Sequence, residues 1–305
     1  MIATFFNKST PLEKLSVIIL LSLVVVVDVF STNAVDLNFI FFAKKIAVLI
    51  FLFVNLFLVQ FISKKNGLRK ENAYDILLVV IFIAMFPLIT VNNAILVSHF
   101  LLLLAFRRIY SLRTIKNTKE KLFDGSLYIG LAAIVYPWSI FYLFLPYSAI
   151  IAFNKRTVRN VIIPLVGAIT PIFIYGTYLF LTDNLDSAFI QLDTSFSFGT
   201  YNSLQLLIPI TLILGFLIWT IFPTTIKIIT VNNELKNSWY LILSHLIISI
   251  FILIPSPVKN GAEFLFLFFP LAIIFTNYLQ LVNEKWFKDV FLYVFLGVAI
   301  LGYFL

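Results

Sequence analysis

The chain has 305 residues, 61% of them hydrophobic and 12% charged, with a formal net charge of +8 and no cysteine. Soluble domains are roughly half apolar and about a quarter charged, so this composition excludes an ordinary water-soluble protein, and the missing cysteine excludes disulfide frameworks, thiolate nucleophiles and cysteine-held clusters. The positive charge lies in short groups between apolar runs, which argues for membrane topology and against a nucleic-acid partner.

In chain order, the apolar runs predict helices at Leu15–Phe30, Ile46–Ile62, Tyr74–Thr90 and Ala94–Tyr110, a broken pair within Gly125–Phe153, and helices at Val161–Thr182, Leu204–Thr225, Trp239–Ile254, Phe264–Val282 and Val290–Leu305. About 20 apolar residues cross the hydrocarbon as a helix, and backbone polar groups in lipid must be satisfied within the segment. The runs lack the period-two alternation of a barrel strand. The expected fold is therefore all-α and polytopic, a single integral membrane domain over residues 1–305 with about eleven membrane segments. Ser31-Thr32-Asn33 is a poor cleavage signal, so the first run is expected to be a retained helix.

The pair around Pro137 follows from charge. Arg107–Lys121 and Lys155–Arg159 flank it with basic residues on both sides, which puts its two ends on one face of the membrane. Proline in Tyr136-Pro137-Trp138 breaks the helix into two short arms, and such a broken or re-entrant hairpin is tolerated where protein or a wet cavity covers it. A single long tilted helix is the alternative, and it would invert every later segment. With the hairpin and a cytoplasmic N-terminus, only Lys44, Lys45 and Lys259 of the 22 lysines and arginines fall outside. The expectation is a multi-pass membrane protein with its N-terminus cytoplasmic and its C-terminus outside.

That topology gathers acidic residues on the outer side. Asp183, Asp186 and Asp193 lie in an outer loop without lysine or arginine, and Asp36 lies in the first outer loop beside Lys44 and Lys45. Asp28 follows Val24-Val25-Val26-Val27 at the end of the first helix, where a carboxylate costs up to about 2.5–3.5 kcal/mol at mid-membrane and less near the interface. Asp28 and Asp36 are the candidate catalytic bases. Lys44, Lys45, Asp183, Asp186 and Asp193 are the candidate substrate-binding residues, the lysines for a lipid phosphate. The alternative readings are a helix-end cap for Asp28 and an interfacial anchor for the Asp36 segment.

His99 and His245 lie inside predicted helices and are read first as interhelical hydrogen-bonding groups. No H-x-x-x-H or H-E-x-x-H spacing occurs, and Ser98 and His99 are adjacent, so they point to different helix faces. No metal site is assigned and no cofactor is required; a divalent cation is the one a carboxylate cluster would hold. Gly125, Gly130, Gly167 and Gly176 fit close helix approach. The many phenylalanines fit packing or lipid contact.

The segments Ser98-His99-Phe100-Leu101, Arg107-Arg108-Ile109-Tyr110-Ser111-Leu112, Leu122-Phe123-Asp124-Gly125-Ser126-Leu127-Tyr128-Ile129-Gly130-Leu131-Ala132, Tyr136-Pro137-Trp138 and Ile163-Pro164-Leu165-Val166-Gly167 resemble an uncharacterised family of multi-spanning inner-membrane proteins from Bacteroidota. That likeness implies a fold and no activity. The order of basic loop, glycine-marked short helix, proline break, second short helix and second basic cluster over Arg107–Arg159 is also similar to membrane glycosyltransferases of the GT-C type. This second resemblance implies a polyprenyl-phosphate-linked sugar as donor and Asp36 or Asp28 as the base that deprotonates an acceptor hydroxyl. Unlike that class, the chain is short, lacks an outer soluble domain and has no adjacent acidic pair after the first helix. Three functions stay open: such a glycan-pathway enzyme, a non-catalytic subunit or scaffold with a membrane protein partner, and a secondary transporter. Membrane lipid is a partner in all three.

Overall fold

The computed structural model describes residues 2–31, 38–184, 194–231, 233–257 and 259–304. After a helical turn at Ile2–Phe6 the chain forms α1 (Pro11–Ser31), α2 (Phe39–Lys65), α3 (Tyr74–Met85), α4 (Asn93–Tyr110), α5 (Thr118–Val135), α6 (Phe144–Ala152), α7 (Val158–Leu181), α8 (Leu204–Val231), α9 (Asn233–Leu253), α10 (Leu265–Leu281) and α11 (Lys285–Leu301). Short 3₁₀ turns cover Pro87–Thr90, Ser111–Arg113, Pro137–Leu143, Gly199–Asn202 and Ala262–Phe264, and no strand occurs among the described residues. The protein is all-α.

Six stretches among the described residues are long and apolar enough to cross a membrane: Phe39–Lys65, Asn93–Arg113, Val158–Leu181, Leu204–Val231, Leu235–Leu253 and Ala262–Leu281. The expectation of about eleven membrane segments is not supported. Helix α3 has only 12 residues, all buried, and at 1.5 Å per residue it covers about 18 Å; its uniform hydrophobicity serves the protein core, as short apolar helices usually do. The apolar stretch Pro137–Ala152 is likewise short. Several apolar helices remain, and they fit a membrane-associated protein.

Helix ends follow local chemistry. The Asn38 side chain accepts from Phe41 N at 2.9 Å and Asn92 from Ile95 N at 3.1 Å, capping α2 and α4, while Thr157 Oγ1 accepts from Asn160 N at 3.2 Å at the start of α7. At Pro137 the α5 helix stops, because proline offers no N–H and restricts Tyr136 to an extended conformation. The polar groups of the break are satisfied by other elements: Ser139 Oγ lies 2.6 Å from Ser98 Oγ, and Tyr142 donates to the Phe266 carbonyl at 3.0 Å. Residues 115–120 and 154–160 line one pocket, so the two ends of the broken segment lie side by side.

Helix α10 is the centre of the bundle, touching α3, α4, α8 and α9. The share of apolar stretch that is buried is 83% for α10 and 22% for each of α7 and α8, so α7 and α8 are peripheral helices with large exposed apolar faces. Phenylalanines build the core: Phe82 of α3 packs on Phe268 and Phe275 of α10 and Phe295 of α11 at centroid separations of 5.3, 6.0 and 5.9 Å. Helices α5 and α7 cross most closely, with Gly130 and Gly167 at the crossing. A Cβ on Gly130 would stand 2.3 Å from the Ala168 carbonyl oxygen, and one on Gly167 2.7 Å from that of Phe123. At Gly176 a Cβ would meet nothing within 4 Å, so that glycine is not a contact residue.

Contacts sort the loops into two ends. Tyr74 donates to the Ala3 carbonyl at 2.5 Å, Ala3 N to Asp289 at 2.8 Å, Asn277 to the Leu68 carbonyl at 2.9 Å and Arg113 to that of Asn66 at 3.2 Å. This is the Arg69 end. The opposite end, named for Asp28, brings together the C-terminal end of α1, the start of α2, the turn Pro87–Thr90 and the turn Ala262–Phe264.

Candidate functional site at the Asp28 end

Asp28 is 4% exposed, and groups brought from elsewhere in the chain hold its carboxylate. Lys45 Nζ lies 2.6 Å from Oδ2, and Thr90 donates to the same oxygen at 2.6 Å. Helix α1 ends where Asp28 faces inward, α2 runs back past it, and the short turn after α3 delivers Thr90. A buried carboxylate beside a nearly buried ammonium is tolerated because their attraction and the Thr90 hydrogen bond offset the desolvation penalty that both charges carry. Next to Asp28 in sequence, Val27 lines an apolar groove of about 320 Å³ bounded by α1, α3 and α11, whose walls also include Val24, Ile81, Leu296 and Ala299. Tyr303 also lines it; its hydroxyl is buried without a hydrogen-bond partner among the described residues and lies within electrostatic reach of Asp28.

A second polar cluster adjoins the first, because the turns Pro87–Thr90 and Ala262–Phe264 pack together and Phe86 stacks on Phe264 at 4.9 Å. Here Glu263 is fully buried. It accepts a short hydrogen bond from Tyr201 and another from Gly261 N at 3.0 Å. Gly261 has φ +96°, and a Cβ there would meet Phe86 and Leu206 at 2.8 Å, so only glycine makes this turn without displacing the stack. Lys259 donates to the Leu253 and Ile254 carbonyls at 2.5 and 2.8 Å, closing the end of α9, and its ammonium stands 4.5 Å from the Phe198 ring centre. Burial pulls the Lys259 ammonium below the usual lysine range, against the opposing pull of Glu263. Burial and the bond to Glu263 push the Tyr201 phenol up. Tyr201→Phe removes the one side-chain bond to Glu263 and is expected to release the 194–203 segment, read as faster proteolysis there with little change in the helical spectrum.

Of the sequence candidates, the structure brings Asp28 and Lys45 together. Lys44 is exposed, and so is Asp183, which ends α7 in a left-handed conformation at φ 54°; no hydrogen bond or ion pair among the described residues joins either to Asp28. Asp36, Asp186 and Asp193 lie outside the described residues. Thr90, Glu263 in its bonded form, Tyr201 and Tyr303 were not legible as site residues, since they come from distant parts of the sequence. A signal did exist for Glu263: an acid directly before the apolar run Phe264–Val282.

The histidines sit inside the bundle. His99 Nδ1 lies 3.2 Å from Asn55 Oδ1 and His245 Nδ1 3.1 Å from the Tyr110 hydroxyl, while both Nε2 atoms are buried without a partner among the described residues. Phe106, Tyr142 and Phe269 surround His245 at 4.3, 5.3 and 5.4 Å, which makes it a packing group with one interhelical bond. Ser98 bonds to Ser139 and the Ala132 carbonyl and not to His99. No group of three or more histidine, aspartate or glutamate side chains among the described residues is placed to hold a metal ion.

At the Arg69 end a further buried pair went unrecognised in the sequence. Arg69 Nε lies 2.6 Å from Asp75 Oδ2, Ser63 donates to the same oxygen at 2.5 Å, and the two side chains are 2% and 0% exposed. Arg69 also donates to the Asn72 carbonyl, tying the loop before α3 to the helix it enters.

Neither the curated proteins nor the solved structures contain a match to this chain. Residues 9–305 match the model of DUF6427, a family of unknown function, and the chain belongs to that family.

Proposed function

We propose that this protein handles a polyprenyl-phosphate-linked sugar at the Asp28 end, as a glycan-pathway membrane protein of the glycosyltransferase-like kind. The observation that carries the reading is the buried Asp28–Lys45 pair, with Asp28 within electrostatic reach of Tyr303, which lines a neighbouring apolar groove. A buried ion pair near an apolar groove suits an amphiphile with a phosphate head and a hydrocarbon tail. Charge sidedness supports placing this end outside: the chain's basic clusters lie in the loops of the other end, and such loops stay in the cytosol. In this reading α1 and α11 also cross the bilayer, and the protein resides in a bacterial inner membrane.

The pair suggests how the chemistry proceeds. An incoming phosphate competes for the Lys45 ammonium and frees the Asp28 carboxylate, which accepts the proton of an acceptor hydroxyl. The hydroxyl oxygen bonds to the anomeric carbon while the bond from that carbon to the phosphate oxygen breaks, and polyprenyl phosphate leaves. Asp36 is the alternative base proposed from the sequence, and Asp183, Asp186 and Asp193 are the acids proposed from the sequence for the sugar.

Native mass spectrometry of gently purified protein with added polyprenyl phosphate tests the reading. The parent is expected to retain the lipid, and Lys45→Met and Tyr303→Phe to lose it, Lys45→Met by about tenfold or more, as expected for a charge-assisted phosphate contact. Equal retention in parent and variants would remove the site. A stoichiometric protein partner in place of lipid would favour the second reading, a non-catalytic subunit, for which the barely buried α7 and α8 are the specific observation.

A further inference from the structure

A second concave site lies at the opposite end, away from Asp28. The first turn of α5 and the loop before α7 enclose a pocket of about 500 Å³ lined by Lys119, Lys155 and Arg156, with Glu120 as its one acid and Asn117 and Asn160 among its polar walls. The N-terminus of α7 is already capped by Thr157, so the attraction for an anion comes from the three cations and not from a free helix end. Ile115, a lining residue, is 82% exposed, and Val158, next to the pocket, is 78% exposed. From Val158 the uncovered face continues along α7 through Val161, Ile162 and Leu165. A basic cup that opens directly onto an apolar helix face matches an amphiphile: phosphate in the cup, acyl chains along α7.

Charge crowding at this place is only partly compensated, by Glu120 and by Asp124, which pairs with Arg108 at 2.9 Å. Lys121, which donates to the Ser111 carbonyl at 2.8 Å and to Thr114 at 2.6 Å, is held below the usual lysine range by burial and by Lys155, Lys65 and Arg108. An anion seated in the pocket relieves the repulsion between its cations and Lys121.

We infer that the pocket between residues 115–120 and 154–160 binds the phosphodiester headgroup of an anionic glycerophospholipid, whose chains lie against Val158, Val161 and Ile162. The inference rests on the membrane character of the chain and is independent of the polyprenyl-phosphate reading at Asp28. The partner is a structural lipid of the surrounding leaflet, chosen over a soluble phosphate because the cup is continuous with exposed apolar surface.

The full chain reconstituted in phosphatidylcholine nanodiscs with a minor fraction of phosphatidylglycerol tests this, with the lipids that remain bound after detergent extraction identified by mass spectrometry. Phosphatidylglycerol is expected to be enriched on the parent. The triple variant Lys119→Gln/Lys155→Gln/Arg156→Gln should lose that enrichment by about tenfold or more, given the attraction each basic residue contributes near a charged surface. Lys285→Gln/Lys288→Gln, which removes two cations from another helix, should leave it intact. The inference fails if the parent shows no enrichment, if both variants lose it equally, or if inorganic phosphate displaces the lipid, which would point to a soluble anion. Lys119 and Arg156 are exposed and Lys155 is half-buried, and a helical spectrum equal to the parent's confirms folding. Polyprenyl phosphate retention by the same triple variant separates this result from failure at Asp28.

Discussion

Asp75→Ala is expected to destabilise the protein by about 3–5 kcal/mol, more than any other single substitution at a charged position, because it leaves Arg69 buried without its counter-ion. The pair is 2% and 0% exposed, so no solvent replaces the lost carboxylate. Ser63 loses its acceptor as well, and the loop that Arg69 ties to the start of α3 is set loose. Unfolding in detergent, followed by the helical signal against denaturant, is the measurement. Arg69→Met combined with Asp75→Leu should recover much of the loss, since an apolar pair carries no desolvation penalty. A midpoint for Asp75→Ala equal to the parent's would show that this pair does not hold the Arg69 end together.

Gly130→Val is the second large effect. The crossing of α5 and α7 brings backbone against backbone, and even a lone Cβ at residue 130 would stand 2.3 Å from the Ala168 carbonyl and 2.6 Å from Pro171 Cγ. Neither neighbour is the free end of a flexible side chain, so the helices must separate. Overpacking of this kind costs about 1–3 kcal/mol and more where the backbone itself must move. Gly176→Val, on the open side of α7, should be close to neutral, since a Cβ there meets nothing within 4 Å and valine is a slightly better helix former than glycine. Comparable losses at both positions would mean that the close crossing contributes nothing specific. Because the pocket inferred for an anionic lipid is built from the N-terminal ends of the same two helices, Gly130→Val is also expected to widen it and weaken lipid retention.

The two polar clusters at the Asp28 end belong to different parts of the chain yet share a wall. Pro87–Thr90 carries the hydroxyl that fixes Asp28 and packs on the turn that carries Glu263. A substrate that pulled Asp28 from Lys45 would therefore act on a surface supported by Phe86, Phe264 and Gly261. This gives the Asp28 end rigid support on the side of the protein core.

The sequence by itself determined the class: continuous apolar runs and sparse charge require helices that satisfy their own backbone, and Pro137 dictated where one of them breaks. It also singled out Asp28 as an acid in costly surroundings, and Gly125, Gly130, Gly167 and Gly176 as residues of close approach, of which Gly176 meets nothing within 4 Å. It did not determine how many runs face lipid. Hydrophobicity is the same requirement whether a helix is covered by acyl chains or by protein, so α3 reads as a pass although all of it is buried among its neighbours. Pairing was likewise decided only by the tertiary structure. Lys45 and Thr90 reach Asp28 from 17 and 62 positions away, and Arg69 finds Asp75 because the loop between α2 and α3 folds back on itself. A charge in an apolar run announces that a partner must exist; which residue supplies it depends on how the helices are packed.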